Sequence, residues 1–293
     1  MASKLAGVNP ACIKIALALL LACGFLAAQL VGAQDAPAKS VKYTFKNFRI
    51  DGANTKRRLT VGCPGRLVPL GGGMNSAPAP SADGEGVYPH SYERLGVQHG
   101  YHSTVVLFDP SPGSTTARQV TLQAACARKQ KHVTPPHKTV FVSPGQTKTA
   151  VATCPGRRHL FGGGFQRTDF TAGGGDYVSE SRAISSKSWS VTGHAFGAFG
   201  GELTAIAYCW RSKRPLLTEV SGSASVEPGR FATATTPSCP RGQVVFGGFN
   251  SSPAGSVLLT NGFFTSIGGW SASARNQFGP SASFTAYGYC LKL

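Results

Sequence analysis

Acidic side chains are scarce in this sequence: 12 Asp and Glu stand against 29 Lys and Arg in 293 residues. Few carboxylates are therefore on hand for a glycosidase-type acid and base. Asp169, Asp176 and Glu180 form the closest grouping, and nothing in their spacing makes two of them converge. A Gly-x-Ser-x-Gly elbow is missing, so a Ser–His–Asp hydrolase has no support. No Cys-x-x-Cys pair or Cys/His alternation of zinc-site type occurs, and no cofactor is expected. The glycine runs lead into neither a helix nor a Gly-Lys-Ser/Thr ending, which argues against a phosphate-cradling loop. Without an RNP-like aromatic/basic string or a helix-turn-helix pattern, sequence-specific nucleic-acid reading is not expected either. After residue 33 no long apolar run remains to span a membrane.

What is present begins with a targeting segment. Lys4 and Lys14 give a basic start, Ile15 to Leu30 is almost unbroken apolar sequence, and Val31-Gly32-Ala33 supplies the compact residues of a cleavage site. Residues 1–33 are expected to be a signal peptide, with a short linker over 34–42 and a mature start at Gln34. Two other readings stand beside it. Leu20-Leu21-Ala22-Cys23 matches a lipoprotein box, though the chain stays apolar after Cys23, and Ile15 to Ala33 is just long enough for a signal anchor. The expected location is extracellular or periplasmic. Setting aside Lys4 and Lys14 leaves 27 basic against 12 acidic residues, a formal charge of +15. Such a chain is drawn to polyanions at low salt, and the same charge keeps an exported protein soluble.

Six cysteines follow residue 33: Cys63, Cys126, Cys154, Cys209, Cys239 and Cys290. An even number in an exported chain reads as disulfides. Aligned on them, the chain repeats with a period of about 85–90 residues. The strings CPGRLVPLGGGM (63–74), CPGRRHLFGGGF (154–165) and CPRGQVVFGGFN (239–250) head the copies, with Gly71-Gly72, Gly162-Gly163 and Gly247-Gly248 at matching offsets. Five residues before each closing cysteine stands Thr121, Thr204 or Thr285, and two before it Ala124, Ala207 or Gly288. Twenty before it lies Val106, Trp189 or Trp270. The copies are bounded as 43–128, 139–211 and 218–293, with basic linkers at 129–138 and 212–217 and an insertion at 87–102 in the first.

Within each copy the signal is strand. Thr204–Cys209 and Thr285–Cys290 are β-branched and aromatic with period two, and glycine or proline punctuates the chain too often for an amphipathic helix. The fold class is all-β: three homologous repeats of four to six short antiparallel strands. The Cys-Pro string predicts a strand end pinned by a disulfide. Its proline stops the ladder, and its glycine pair permits a bulge or the close approach of a large side chain such as Trp189. Trp189 and Trp270, at a repeated strand position, read as core. Two disulfide patterns respect the repeat. Cys63–Cys126, Cys154–Cys209 and Cys239–Cys290 would close each copy on itself; Cys126–Cys154, Cys209–Cys239 and Cys63–Cys290 would staple the copies in a ring. The first is the expectation, since the terminal strands of one repeat commonly lie side by side.

The run Cys-Pro-x-Gly, glycines, Trp189-Ser-Val191 or Trp270-Ser-Ala272, and a closing Ala205-x-Ala207-Tyr-Cys209 resembles a repeat of secreted bacterial proteins whose function is uncharacterised. The likeness covers 139–293 well and 43–138 loosely. In plan, three Cys-Pro-led β repeats are also similar to the vitelline membrane outer layer protein family, which implies a pseudo-threefold, β-prism-like arrangement. The units here are longer and their strands differ, so no binding residues carry over.

Basic residues cluster before and between the copies: Lys56, Arg57 and Arg58; Arg128, Lys129 and Lys131; Arg211, Lys213 and Arg214; and, inside a repeat loop, Arg157 and Arg158. Under threefold symmetry the junction clusters would gather at corresponding places and bind a polyanionic polymer or glycan of the cell envelope through counterion release. The plainer reading is solvated linker charge. His90, His99 and His102, among Tyr88, Tyr92, Tyr101 and Glu93, mark a ligand-loop candidate where the repeat pattern is interrupted. The expected function is non-catalytic binding at a surface. A hydrolase acting on envelope polysaccharide and a passive coat protein are the alternatives.

Overall fold

The computed structural model describes residues 41–52, 55–77, 86–89, 91–94, 100–108, 117–128, 133–167, 170–171, 174–212, 215, 217–276 and 279–291. Residues 1–40, which hold the expected signal peptide and Cys23, lie outside these, as do His90, His99, Lys129, Lys131, Asp169, Lys213 and Arg214. For Asp176 and Val106 only the backbone is described.

The described chain is all-β, as its pattern predicts. The first third forms β1 (Lys42–Ile50), β2 (Thr55–Gly62), β3 (Leu67–Ala77), β4 (Gly86–Pro89), β5 (Ser91–Arg94), β6 (Gly100–Phe108) and β7 (Arg118–Arg128). The second forms β8 (His137–Val142), β9 (Thr147–Thr153), β10 (Arg158–Arg167), β11 (Phe170–Thr171), β12 (Gly174–Ala183), β13 (Ser188–Gly197) and β14 (Gly201–Arg211). The last forms β15 (Leu217–Val226), β16 (Phe231–Thr235), β17 (Gln243–Ser252), β18 (Val257–Phe264), β19 (Trp270–Asn276) and β20 (Ala282–Leu291).

Three antiparallel sheets result. Their orders are β1-β7-β3-β18-β19-β16, β8-β14-β10-β5-β6-β2 and β15-β20-β17-β12-β13-β9, with β4 added on β6 and β11 on β12. Each sheet takes the first, last and cysteine-led strands of one third and completes itself with the remaining strands of another. Within the segment 87–102, residues 87–89, 91–94 and 100–102 lie in sheet strands, and Tyr88, Tyr92, Tyr101 and His102 are buried. His137 and Lys138 belong to β8 and not to a linker.

Cys63–Cys126, Cys154–Cys209 and Cys239–Cys290 are bonded, with Cα–Cα distances of 5.7, 5.5 and 5.6 Å. Each bond stays within one third, and the ring pattern does not occur. Closing loops of this length stabilises a fold by roughly 4 kcal/mol per bond on the chain-entropy model. Bonds of this kind form and persist in an oxidising compartment, extracellular or periplasmic.

The glycine strings have one packing job. A bulge sits just before them in each third, at Leu70, Phe161 and Val245, all fully buried. Past the bulge, a ring from another sheet lies where a Cβ would be. Tyr101 would stand 2.4 Å from a Cβ on Gly72, Trp189 2.2 Å from one on Gly163, and Trp270 1.9 Å from one on Gly247. The small residues noted in the sequence are the partners of these glycines across the ladder: Ala124, Ala207 and Gly288. Directly opposite residues share a face, so both strands leave room for the ring. The aromatic of the first third is thus Tyr101 and not the residue at Val106, which the count from the cysteine suggests. The last third is also one residue shorter between cysteine and bulge, so Gly247 matches Gly72 and Gly163, and Phe246 matches Gly71 and Gly162.

Two further recurrences explain the spacing. Thr121, Thr204 and Thr285 face Asn47, Thr139 and Ser223 across the ladder and hydrogen-bond to them at 2.7, 2.8 and 2.8 Å. Where two thirds join within a sheet, a side chain reaches over the glycine strand to accept from a backbone N–H. Tyr208 Oη accepts from Arg94 (2.6 Å), Tyr289 Oη from Ala183 (2.8 Å) and Gln123 Oε1 from Phe264 (2.8 Å).

Candidate functional site

The CPGR string builds a corner. Gly156 turns the chain in the left-handed region (φ +56°), the Arg158 N–H donates to the Pro155 carbonyl, and Arg157 is left exposed on the turn. The chain then enters β10, where Arg158 lies directly opposite Arg211. Arg157, Arg158 and Arg211, with Pro155 and Gly156, line a depression of about 440 Å³ that no described carboxylate enters. One Arg158 nitrogen donates to Thr134 Oγ1, and Lys187 Nζ donates to the Gly156 carbonyl at 2.8 Å, bringing a fourth cation to the corner. Like charges directly across a ladder repel, so an arginine pair here favours a bound anion.

The other basic residues go elsewhere. Arg128 closes β7 opposite Leu67, the register that Arg211 has opposite Arg158. Arg66 stands in the first CPGR turn as Arg157 does in the second. Lys56, Arg57 and Arg58 lie on β2, the edge of a sheet, and have no counterpart at the corners. Arg58 is turned toward His102, 3.3 Å from its Nε2, and that nitrogen is 3.2 Å from Glu93 Oε2. His102 is buried, so of the ligand-loop histidines the one that is described forms part of a packed Arg–His–Glu group.

Glu93 also opens onto a cleft of about 410 Å³, lined among others by Arg94, His137, Gln166, Glu202 and Tyr208. Its floor is Tyr208, which lies opposite Gly162 and whose hydroxyl accepts from the Arg94 N–H. Burial pushes Tyr208 above the ordinary tyrosine range and pulls Arg94 below the ordinary arginine one. The matching junction of the next sheet forms a smaller cleft, about 330 Å³, with Arg182, Glu219 and Tyr289 among apolar Leu160, Ile184 and Leu217. Arg182 there is 3.4 Å from Glu180 and lies over the Tyr287 ring. Glu180 is thereby paired, and of the three carboxylates grouped in the sequence it is the one whose side chain is described. Sequence reading did not link Glu93 with Glu202, because only the sheet junction brings residues so far apart to one cleft.

Among the described residues no three His, Cys, Asp or Glu side chains gather as metal ligands, and no helix is long and apolar enough to cross a membrane. Trp189 and Trp270 are core residues, with rings packed on Phe246 and Phe264. No known family model matches the chain, and no curated protein is similar to it. Any functional reading rests on the residues themselves.

Proposed function

We propose that the protein is a secreted, non-catalytic binder of polyanionic polymers or acidic glycans of the cell envelope, and that the arginine corner is its principal contact. The observation that carries this reading is the register pair Arg158–Arg211 with Arg157 beside it, in a depression lined by no described carboxylate. Three guanidiniums held this close repel one another in the free protein, and a phosphate or sulfate group relieves that repulsion through forked hydrogen bonds. Arg66 and Arg128 repeat part of the arrangement in the first third and give an extended polymer a second foothold. The formal charge of the chain adds long-range attraction.

The test is retention on heparin and on immobilised polyphosphate along a salt gradient. The wild-type protein elutes late. The Arg157→Ser, Arg158→Ser, Arg211→Ser variant elutes markedly earlier, and its log-affinity against log-salt slope falls by about 2 to 3. Unchanged elution of that variant, with its fold intact, overturns the reading.

A further inference from the structure

The cleft beside Glu93 has a different chemistry from the arginine corner. Two carboxylates, Glu93 and Glu202, face one guanidinium and one imidazole, from Arg94 and His137. That balance disfavours a polyanion. It suits a ligand rich in hydroxyls, which donate to carboxylates and accept from arginine, threonine and amide groups. Gln166, Thr204 and Thr139 lie in one transverse row, opposite one another in register across β10, β14 and β8. The row sits between the two glutamates and supplies hydroxyl and amide groups.

An apolar platform adjoins the polar row. Phe141 is opposite Glu202 in register and two residues from Thr139, so all three share one face of the sheet. It is 55% exposed, whereas Tyr92, Tyr101, Phe161, Phe165 and Tyr208 of the same sheet are buried. A Cβ on Gly200 would lie 3.0 Å from this ring, so the backbone fits closely beneath it. A flat ring beside a row of donors and acceptors matches a pyranose, whose C–H face is apolar and whose rim is hydroxylated. The volume falls in the range of small-ligand sites.

We infer that this cleft is a second binding site, taking a sugar unit that carries no acid group, neutral or amino, with Glu93 and Glu202 accepting from its hydroxyls or ammonium and Phe141 packing under its ring. The site is independent of the arginine corner. The matching cleft of the next sheet, with Glu219 as its one carboxylate and Leu160, Ile184 and Leu217 in its walls, lacks this composition.

Calorimetric titration of the intact, disulfide-bonded protein with cellotetraose and with the glucosamine tetraose tests it, in about 0.5 M salt so that the arginine corner is screened. One or both sugars give a saturable isotherm. Glu202→Gln and Phe141→Ala, both at exposed positions where the fold is retained, each weaken it about tenfold. Arg157→Ser with Arg211→Ser leaves it unchanged, so failure of the polyanion reading and failure of this one are separable. No saturable binding by either sugar overturns the inference. So does binding that survives both cleft variants, or tighter binding of tetragalacturonate than of the other two.

Discussion

The glycine beneath Trp189 and the arginines beside Cys154 belong to one strand entry, yet the other two thirds treat them in opposite ways. Every third keeps a glycine beneath an aromatic ring, at Gly72, Gly163 and Gly247. The place of Arg158 is taken by Leu67 in the first third and, by the register of the last, by Gly242. Packing explains the first behaviour, because one added carbon under a buried ring has nowhere to go. Solvent explains the second, because a corner tolerates almost any side chain. What recurs is therefore what the core demands, and what differs between the thirds lies where solvent leaves the side chain free to vary.

The largest test of that contrast is Gly163→Val set against Gly156→Ala. A Cβ at 163 meets the Trp189 indole at 2.2 Å, and that indole is fully buried against Phe246 and Tyr289. The loss expected is at least about 3 kcal/mol. A Cβ on Gly156 would meet nothing within 4 Å, and the substitution suffers only from the left-handed φ of +56°, an expected loss of about 1 kcal/mol. Urea unfolding of the two variants separates them. Equal losses would mean that the ring contact is not what holds the glycine.

The second test uses pH. Burial raises Tyr92, Tyr101, Tyr208 and Tyr289 above the ordinary tyrosine value, which is about 10. A group whose folded pKa is raised contributes stability that is complete below its unfolded pKa and is lost as pH rises through the folded one. The melting temperature is expected to hold up to about pH 9 and to fall above about pH 10. The Tyr208 and Tyr289 oxygens accept a backbone N–H at two of the sheet junctions, and Gln123 does so at the third. A melting temperature that does not fall above about pH 10 would mean that these buried phenols do not couple ionisation to folding.

Much of this was legible in the sequence. Cysteine spacing and strand patterning give the all-β class, and the within-copy disulfides follow from reading the copies as units whose ends meet. The threonines and small residues at fixed offsets announce ladder positions, although not what they face. The sheets' composition was not legible. Each sheet joins strands from two thirds of the chain, and no local pattern says which third donates to which. For the same reason the Glu93–Glu202 cleft was invisible, as was the role of Tyr101, since the count from Cys126 passes over it and lands on Val106. Residues 87–102 looked like an insertion because their polar and aromatic mixture hides the alternation of β5 and β6.

The smallest expected effect isolates a single hydrogen bond. Trp189 Nε1 donates to Ser181 Oγ at 3.1 Å, and both groups are buried. In the last third the residue matching Ser181 is Gly262: Gly262 pairs with Met74 as Ser181 pairs with Phe249. Trp270 Nε1 accordingly has no partner among the described residues. A Cβ on Gly262 would stand 2.9 Å from the Trp270 ring, so the ring takes the space a serine would need. Ser181→Ala makes the Trp189 site like the Trp270 site and is expected to cost about 1 to 2 kcal/mol. Trp189→Phe and Trp270→Phe both leave a void, but only the former also gives up a hydrogen bond. In a double-mutant cycle, Trp189→Phe should therefore be milder in the Ser181→Ala background by about 1 kcal/mol. A cycle that closes at zero would assign the burial of Trp189 to packing alone and make the two tryptophan sites energetically alike.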